Sequence, residues 1–252
     1  MNLYLPNNIY SRLFAESLAD KKELNISYLP SALISSKLAE DKIGVALIPT
    51  LDLLKNKNLY VSSKLGLSFE RGLSNSYFYF DQTDNISNLT LLGDVSSTEV
   101  ILSKVIFKEE YGLDVNIEIS QNRNIANKNK LVVGDSNFIS GDVNHGLSMS
   151  DKISDIFDFP LPFVNYAFVS LDKEKIKFVD NKAEEIQNKI LNTKENSELF
   201  NSFNETSKNF IIQNISSLIL NLDEMDREGL VEILKVPYYH GLIKDMIDVK
   251  FK

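Results

Sequence analysis

Three short polar clusters hold most of the chemistry available to this sequence. Ser96-Ser97-Thr98 opens a segment with helical spacing. Hydroxyls and the unpaired backbone amides of a helix start can together hold a carboxylate. Pro49-Thr50 closes the apolar run Ile43–Ile48, so Thr50 stands at the carboxyl end of a strand, where open α/β sheets take their ligands. Ser74-Asn75-Ser76 lies in an extended stretch beside Gly72, and Arg71 next to it could grip a ligand carboxylate as a fork. Two of these clusters also have a plain structural reading: a helix cap at Ser96, and a polar hinge at Ser76 beside a solvated arginine at 71. No nucleophile–base triad, metal-ligand spacing or complete glycine-rich phosphate loop is visible. The absence of cysteine excludes disulfides, thiolate metal sites and thiol nucleophiles. The two histidines, His145 and His240, have no metal-ligand partner at a fixed spacing.

These clusters need elements to position them, and strand and helix patterns alternate along the chain. Leu3–Leu5 reads as a short strand, and Tyr10–Leu18 as a helix with Tyr10, Leu13, Phe14 and Leu18 on one face. Leu24–Tyr28 alternates as a strand, Ser31 caps a helix through Leu38, and Ile43–Ile48 suits a strand buried on both faces. A second strand–helix unit follows at Leu89–Leu92 and Thr98–Tyr111, closed by Gly112 as a C-cap glycine. Val115–Ile119, Leu131–Val133 and Phe163–Leu171 read as further strands. Lys182–Asn192, Phe203–Leu220 and Asp226–Lys235 read as helices. The alternation predicts an α/β protein with mostly parallel sheets. Ser74–Phe80 and Phe163–Leu171 are the natural crossovers between two lobes, giving one domain from residues 1–75 and 166–252 and a second from 76–165. A cleft between two such domains is a common place for a small-molecule site.

Composition narrows the partners. The 252 residues are 43% hydrophobic and 25% charged, with a net charge of −8, which disfavours nucleic acid and anionic membrane. No apolar run approaches the roughly 18–20 residues of a membrane span. The start, Met-Asn-Leu-Tyr-Leu-Pro, shows no basic and apolar leader pattern. With the lack of cysteine, it sets the expectation of a cytoplasmic protein, monomer or homodimer, and small-molecule chemistry.

The motifs fall in the order of a known family. Pro30-Ser31-Ala32-Leu33 with the strand ending Ile48-Pro49-Thr50, then Gly72-Leu73-Ser74-Asn75-Ser76, resemble that family's helix–strand unit and crossover serine. Ser96-Ser97-Thr98, Val133-Gly134-Asp135, Leu161-Pro162-Phe163-Val164 and Asn214-Ile215-Ser216 continue the series. Over about residues 4–230 the chain resembles a divergent member of the menaquinone-biosynthesis family of chorismate dehydratase. That resemblance implies a type II periplasmic-binding-protein-like fold with two crossover strands and no cofactor or metal. It also implies a lyase forming 3-enolpyruvylbenzoate from chorismate in the futalosine route. Asn7 and Ser76 would then be catalytic, facing the reacting ring. Thr50, Arg71, Ser96, Ser97, Thr98 and Asp135 would bind a small anionic carboxylate substrate.

Three positions depart from the family pattern. Pro6 stands where the family has the first-strand asparagine, with Asn7 one place later. Gly93 stands at the family's aspartate, with Asp94 following, and Glu99 replaces a serine. A glutamate in the first turn suits the helix dipole but opposes an anionic ligand. These departures leave open an alternative, a non-catalytic or repurposed small-anion-binding protein of the same fold.

Overall fold

The computed structural model describes residues 1–18, 24–70, 72–80, 86–122, 129–140, 143–156, 161–193 and 197–252. The expected ligand-binding Arg71 lies outside the described residues.

The first lobe starts with β1 (Asn2–Pro6), α1 (Ile9–Ser17), β2 (Asn25–Leu29), α2 (Ser31–Asp41), β3 (Val45–Pro49) and β4 (Tyr60–Phe69). The second lobe holds β5 (Ser76–Tyr79), β6 (Asn88–Gly93), α3 (Ser97–Tyr111), β7 (Asn116–Ser120) and β8 (Lys130–Val133). It continues with α4 (Ser136–Ser140), β9 (Leu147–Ser148) and α5 (Met149–Ile156). The chain then returns to the first lobe through β10 (Phe163–Ser170), α6 (Lys173–Asp180), α7 (Ala183–Leu191), α8 (Glu205–Gln213) and β11 (Leu218–Asn221). It ends with α9 (Glu224–Tyr239) and β12 (Lys250–Phe251).

Two separate sheets result. The first runs β11-β4-β10-β3-β1-β2, with β12 beside β4; the second runs β7-β6-β8-β5-β9. In the first, β1 pairs in parallel with β2 and β3, while β10 is antiparallel to both β3 and β4. In the second, β6 pairs in parallel with β7 and β8, and β5 is antiparallel to β8. Phe163 and Val164 already pair with Phe69 and Ser68 of the first sheet. The chain therefore changes lobes between β4 and β5 and again between α5 and β10.

Local chemistry explains the elements that matter for the site. Every residue of β3 is buried, as its unbroken apolar run requires when both faces are covered. Asn8 caps α1, its side chain accepting from the Ser11 amide. Gly112 ends α3 at φ 67°, a left-handed cap that glycine adopts without strain. One expected element differs. The long helix over Phe203–Leu220 breaks at Asn214, whose side-chain amide donates back to the Phe210 carbonyl at 2.8 Å. Leu218 and Leu220 then alternate inward as a strand against β4. The apolar period there is two rather than 3.6.

Candidate functional site

Three helices begin at the seam between the lobes, and their first turns define it. At the start of α1, the Ile9 amide donates to Asp135 Oδ1 of the second lobe at 2.7 Å, and Arg12 donates to Asp135 Oδ2. At the start of α2, Ser31 is the first helical residue, not the cap expected from sequence. Its amide donates to Asp94 Oδ1 at 2.8 Å and its hydroxyl to Asp94 Oδ2 at 2.6 Å. An aspartate of the opposite lobe thus satisfies the open end of each helix, where backbone donors and the helix dipole favour negative charge.

The start of α3 is satisfied in a different way. Ser96 caps it, accepting from the Thr98 amide at 3.2 Å, and Glu99 completes a capping box. Glu99 Oε2 accepts from the Ser96 amide at 2.9 Å and the Ser96 hydroxyl at 2.5 Å. The expectation of free amides at this helix start therefore differs from what is observed. Ser97 donates to Asp52 Oδ1 of the first lobe at 2.6 Å, and Thr98 Oγ1 accepts from the Leu51 amide at 3.4 Å.

Between these helix starts the interior is filled. Tyr166, on β10, is fully buried, and its hydroxyl lies 3.0 Å from Ser31 Oγ and 3.1 Å from Asn75 Nδ2. Glu99 is fully buried as well and accepts from the Ser76 hydroxyl at 3.4 Å. Burial pushes the Glu99 and Asp94 carboxyls above their ordinary range, and the bonds from Ser96 and Ser31 partly restrain the shifts. Burial, then the nearby Glu99 and Asp94, hold the Tyr166 phenol well above its ordinary value. Tyr166 is therefore a hydrogen-bond donor throughout the neutral range.

The residues singled out from sequence separate into two sets. Asn7 is exposed, its side-chain oxygen accepting from Arg12 at 3.2 Å. With Asp135 it lines a hollow of about 760 Å³ at the mouth between the lobes, together with Arg12, Asp94, Gln121 and Ser136. Thr50, Ser76, Ser96, Ser97 and Thr98 do not line that hollow. Thr50 is fully buried and donates to the Val164 carbonyl at 2.6 Å. Another hollow, about 970 Å³, is bordered by Arg227, Tyr239, His240 and Phe251 and shares no residue with the mouth. Tyr166, Asp52 and Arg12 were not among the residues expected at the site. A tyrosine inside a mostly apolar strand pattern was the available signal, since a buried phenol needs a partner.

No family model and no curated protein matches the chain. Among the described residues, no helix is long and apolar enough to cross a membrane. Solved structures do resemble it. Protein AF1704 of Archaeoglobus fulgidus aligns with 96% of this chain and 98% of its own at 13% identity, with a TM-score of 0.67. A Candida albicans gene product, described as exhibiting the generic periplasmic binding protein fold, aligns with 100% of this chain and 95% of its own at 10% identity, TM-score 0.60. The periplasmic aliphatic sulphonate binding protein of Escherichia coli aligns with 99% and 90% at 8% identity, TM-score 0.58. The chain thus has the two-lobed α/β fold of the periplasmic binding proteins.

Proposed function

We propose that this protein binds a small polar molecule at the mouth between its lobes, without performing the dehydration that the family resemblance implies. The supporting observation is the separation of the two groups assigned to catalysis. Asn7 sits at the exposed mouth against Arg12, while Ser76 is 1% exposed and bonded to Glu99. One substrate ring would have to touch both. Among the described residues lining the mouth, the charged side chains are Asp94, Asp135 and Arg12, so two carboxylates stand with one guanidinium. That balance favours a neutral or cationic ligand over a dicarboxylate.

The second reading is chorismate dehydratase. In its favour, the motifs at Ser31, Ser74-Asn75-Ser76, Ser96–Thr98 and Gly134-Asp135 each make a contact across the inter-lobe seam. Incubation with chorismate, followed by ultraviolet absorbance, decides between the two. We expect no 3-enolpyruvylbenzoate above the protein-free rate; its formation would establish the dehydratase. Binding is read by thermal denaturation against a panel of neutral, cationic and dicarboxylate compounds. A ligand at a hundred times its Kd adds about 2.7 kcal/mol, a Tm rise of about 5–10 °C for a chain of this size. If no member of the panel moves Tm, the binding reading fails.

A further inference from the structure

We infer that Asp94, Asp135 and Asp52 form a latch that closes the two lobes without any ligand. In a two-lobed binder, closure ordinarily has to be stabilised by contacts that a ligand makes to both sides, because an equilibrium shifts only as far as differential contacts allow. Here the chain supplies those contacts itself. Asp94 takes the amide and hydroxyl of Ser31 across the seam. Asp135 takes the Ile9 amide and the Arg12 guanidinium, with the two side chains only 24% and 19% exposed. Asp52 reaches the other way, from the first lobe to Ser97. Opening the lobes would take the acceptor from the Ile9 and Ser31 amides and leave Asp94 and Asp135 to find water, while Asp52 would lose Ser97 and keep the Ser35 hydroxyl.

The latch has an apolar backing. Tyr10 of α1 meets Phe138 of α4 edge-on, with ring centroids 6.1 Å apart. Such packing holds over a range of centroid separations, whereas each carboxylate fits its donors in one relative placement of the lobes. The three aspartates are therefore positioning residues that fix the closed geometry. A ligand at the mouth would meet a cleft that is already closed.

This inference concerns the same cleft as the proposed binding site, but its test needs no ligand, so the two can fail separately. The sequence contains no cysteine, so Ser76→Cys introduces a single thiol at a position 1% exposed beside the seam. Its reaction with N-ethylmaleimide then reports opening. In the ligand-free protein we expect strong protection relative to the denatured chain. Adding Asp94→Ala and Asp135→Ala should raise the reaction rate by about tenfold or more, since each removes a helix-start acceptor and charge-assisted bonds. Asp172→Ala is the control. It removes the cap of α6, whose Glu174 amide it accepts at 2.9 Å within one lobe, and should leave the rate within about twofold. Circular dichroism confirms folding, and Asp94→Asn replaces any variant that does not fold, with a smaller rise expected. An unprotected thiol in the parent, an unchanged rate in the aspartate variants, or an equal rise with Asp172→Ala would each overturn the latch.

Discussion

Replacing Tyr166 with phenylalanine tests the polar core of the seam most directly. The donors there are ordered by chemistry. The Asn75 side-chain nitrogen can only donate, and an ionised Asp94 can only accept. Ser31 spends its hydrogen on Asp94 Oδ2 at 2.6 Å. The Tyr166 hydroxyl, 3.0 Å from Ser31 Oγ, must therefore donate to it while accepting from Asn75 Nδ2 at 3.1 Å. Tyr166→Phe keeps the ring and its packing, so no cavity contributes. It leaves the Asn75 amide without its acceptor, in a side chain whose Oδ1 already has no partner, and takes a donor from Ser31. An unsatisfied buried group of this kind costs about 1–3 kcal/mol. For a chain of this size that is a Tm loss of about 2–12 °C, read by thermal denaturation followed by circular dichroism. In an Asn75→Ala background the same change should cost less, with a coupling of about 0.5–3 kcal/mol. A Tm unchanged by Tyr166→Phe, or costs that simply add in the double variant, would refute the ordered chain of donors.

Thermal melts check two further outcomes. Burial raises Glu99 above its ordinary value of 4.5, and Asp94, Asp180 and Asp226 above 3.8. The folded chain holds these protons more tightly than the unfolded one. Their contribution is complete below the ordinary values and is lost as pH rises through the raised ones. Tm should therefore lose this contribution above about pH 4.5, and Glu99→Gln, which has no proton to release, should flatten the profile; parallel Tm profiles from pH 4.5 to 8 would count against it. Gly93 has φ 92°, and a Cβ there would lie 2.1 Å from the Val133 carbonyl oxygen. Gly93→Asp, which would restore the family's aspartate at its own position, should cost at least ~3 kcal/mol through strain and backbone displacement, a Tm loss of roughly 6–12 °C. A variant as stable as the parent in a thermal melt would show that the turn does not need glycine.

What the sequence revealed and what it hid divide along range. The buried strand before Thr50, the α3 start at Ser96 and the glycine cap at Gly112 are local events, and apolar period and capping chemistry made them legible. β4 was not recognised. Its alternation of Leu65, Leu67 and Phe69 counts only three residues and begins after the polar Ser62-Ser63-Lys64. The helix expected over Phe203–Leu220 failed because apolar residues fit either period in a short run, and the pairing with β4 decided the outcome. At the site, strand ends and helix starts were legible, but their partners were not. Ser31 meets Asp94 from 63 residues away, Ile9 meets Asp135 from 126, and Ser31 meets Tyr166 from 135. Nothing in a motif says which of its donors the folded chain will consume itself.

That distinction limits what likeness of fold can say about chemistry. In a two-lobed α/β protein, backbone amides at helix starts converge on the seam whatever the sequence, because strand ends and helix starts meet there. The same amides serve a ligand's carboxylate or a side chain's equally well. In this chain Asp94 and Asp135 take the starts of α2 and α1, and Glu99 and Ser96 take that of α3. A handful of side chains thus decides whether the seam receives an anion or merely closes. Those side chains are invisible to a backbone comparison at 8–13% identity. Asp94 also stands one place beyond Gly93, the position where the family pattern has its aspartate. Gly93 is required by its positive φ and by the approach of Val133. The carboxylate one place later is spent on the Ser31 amide and hydroxyl across the seam.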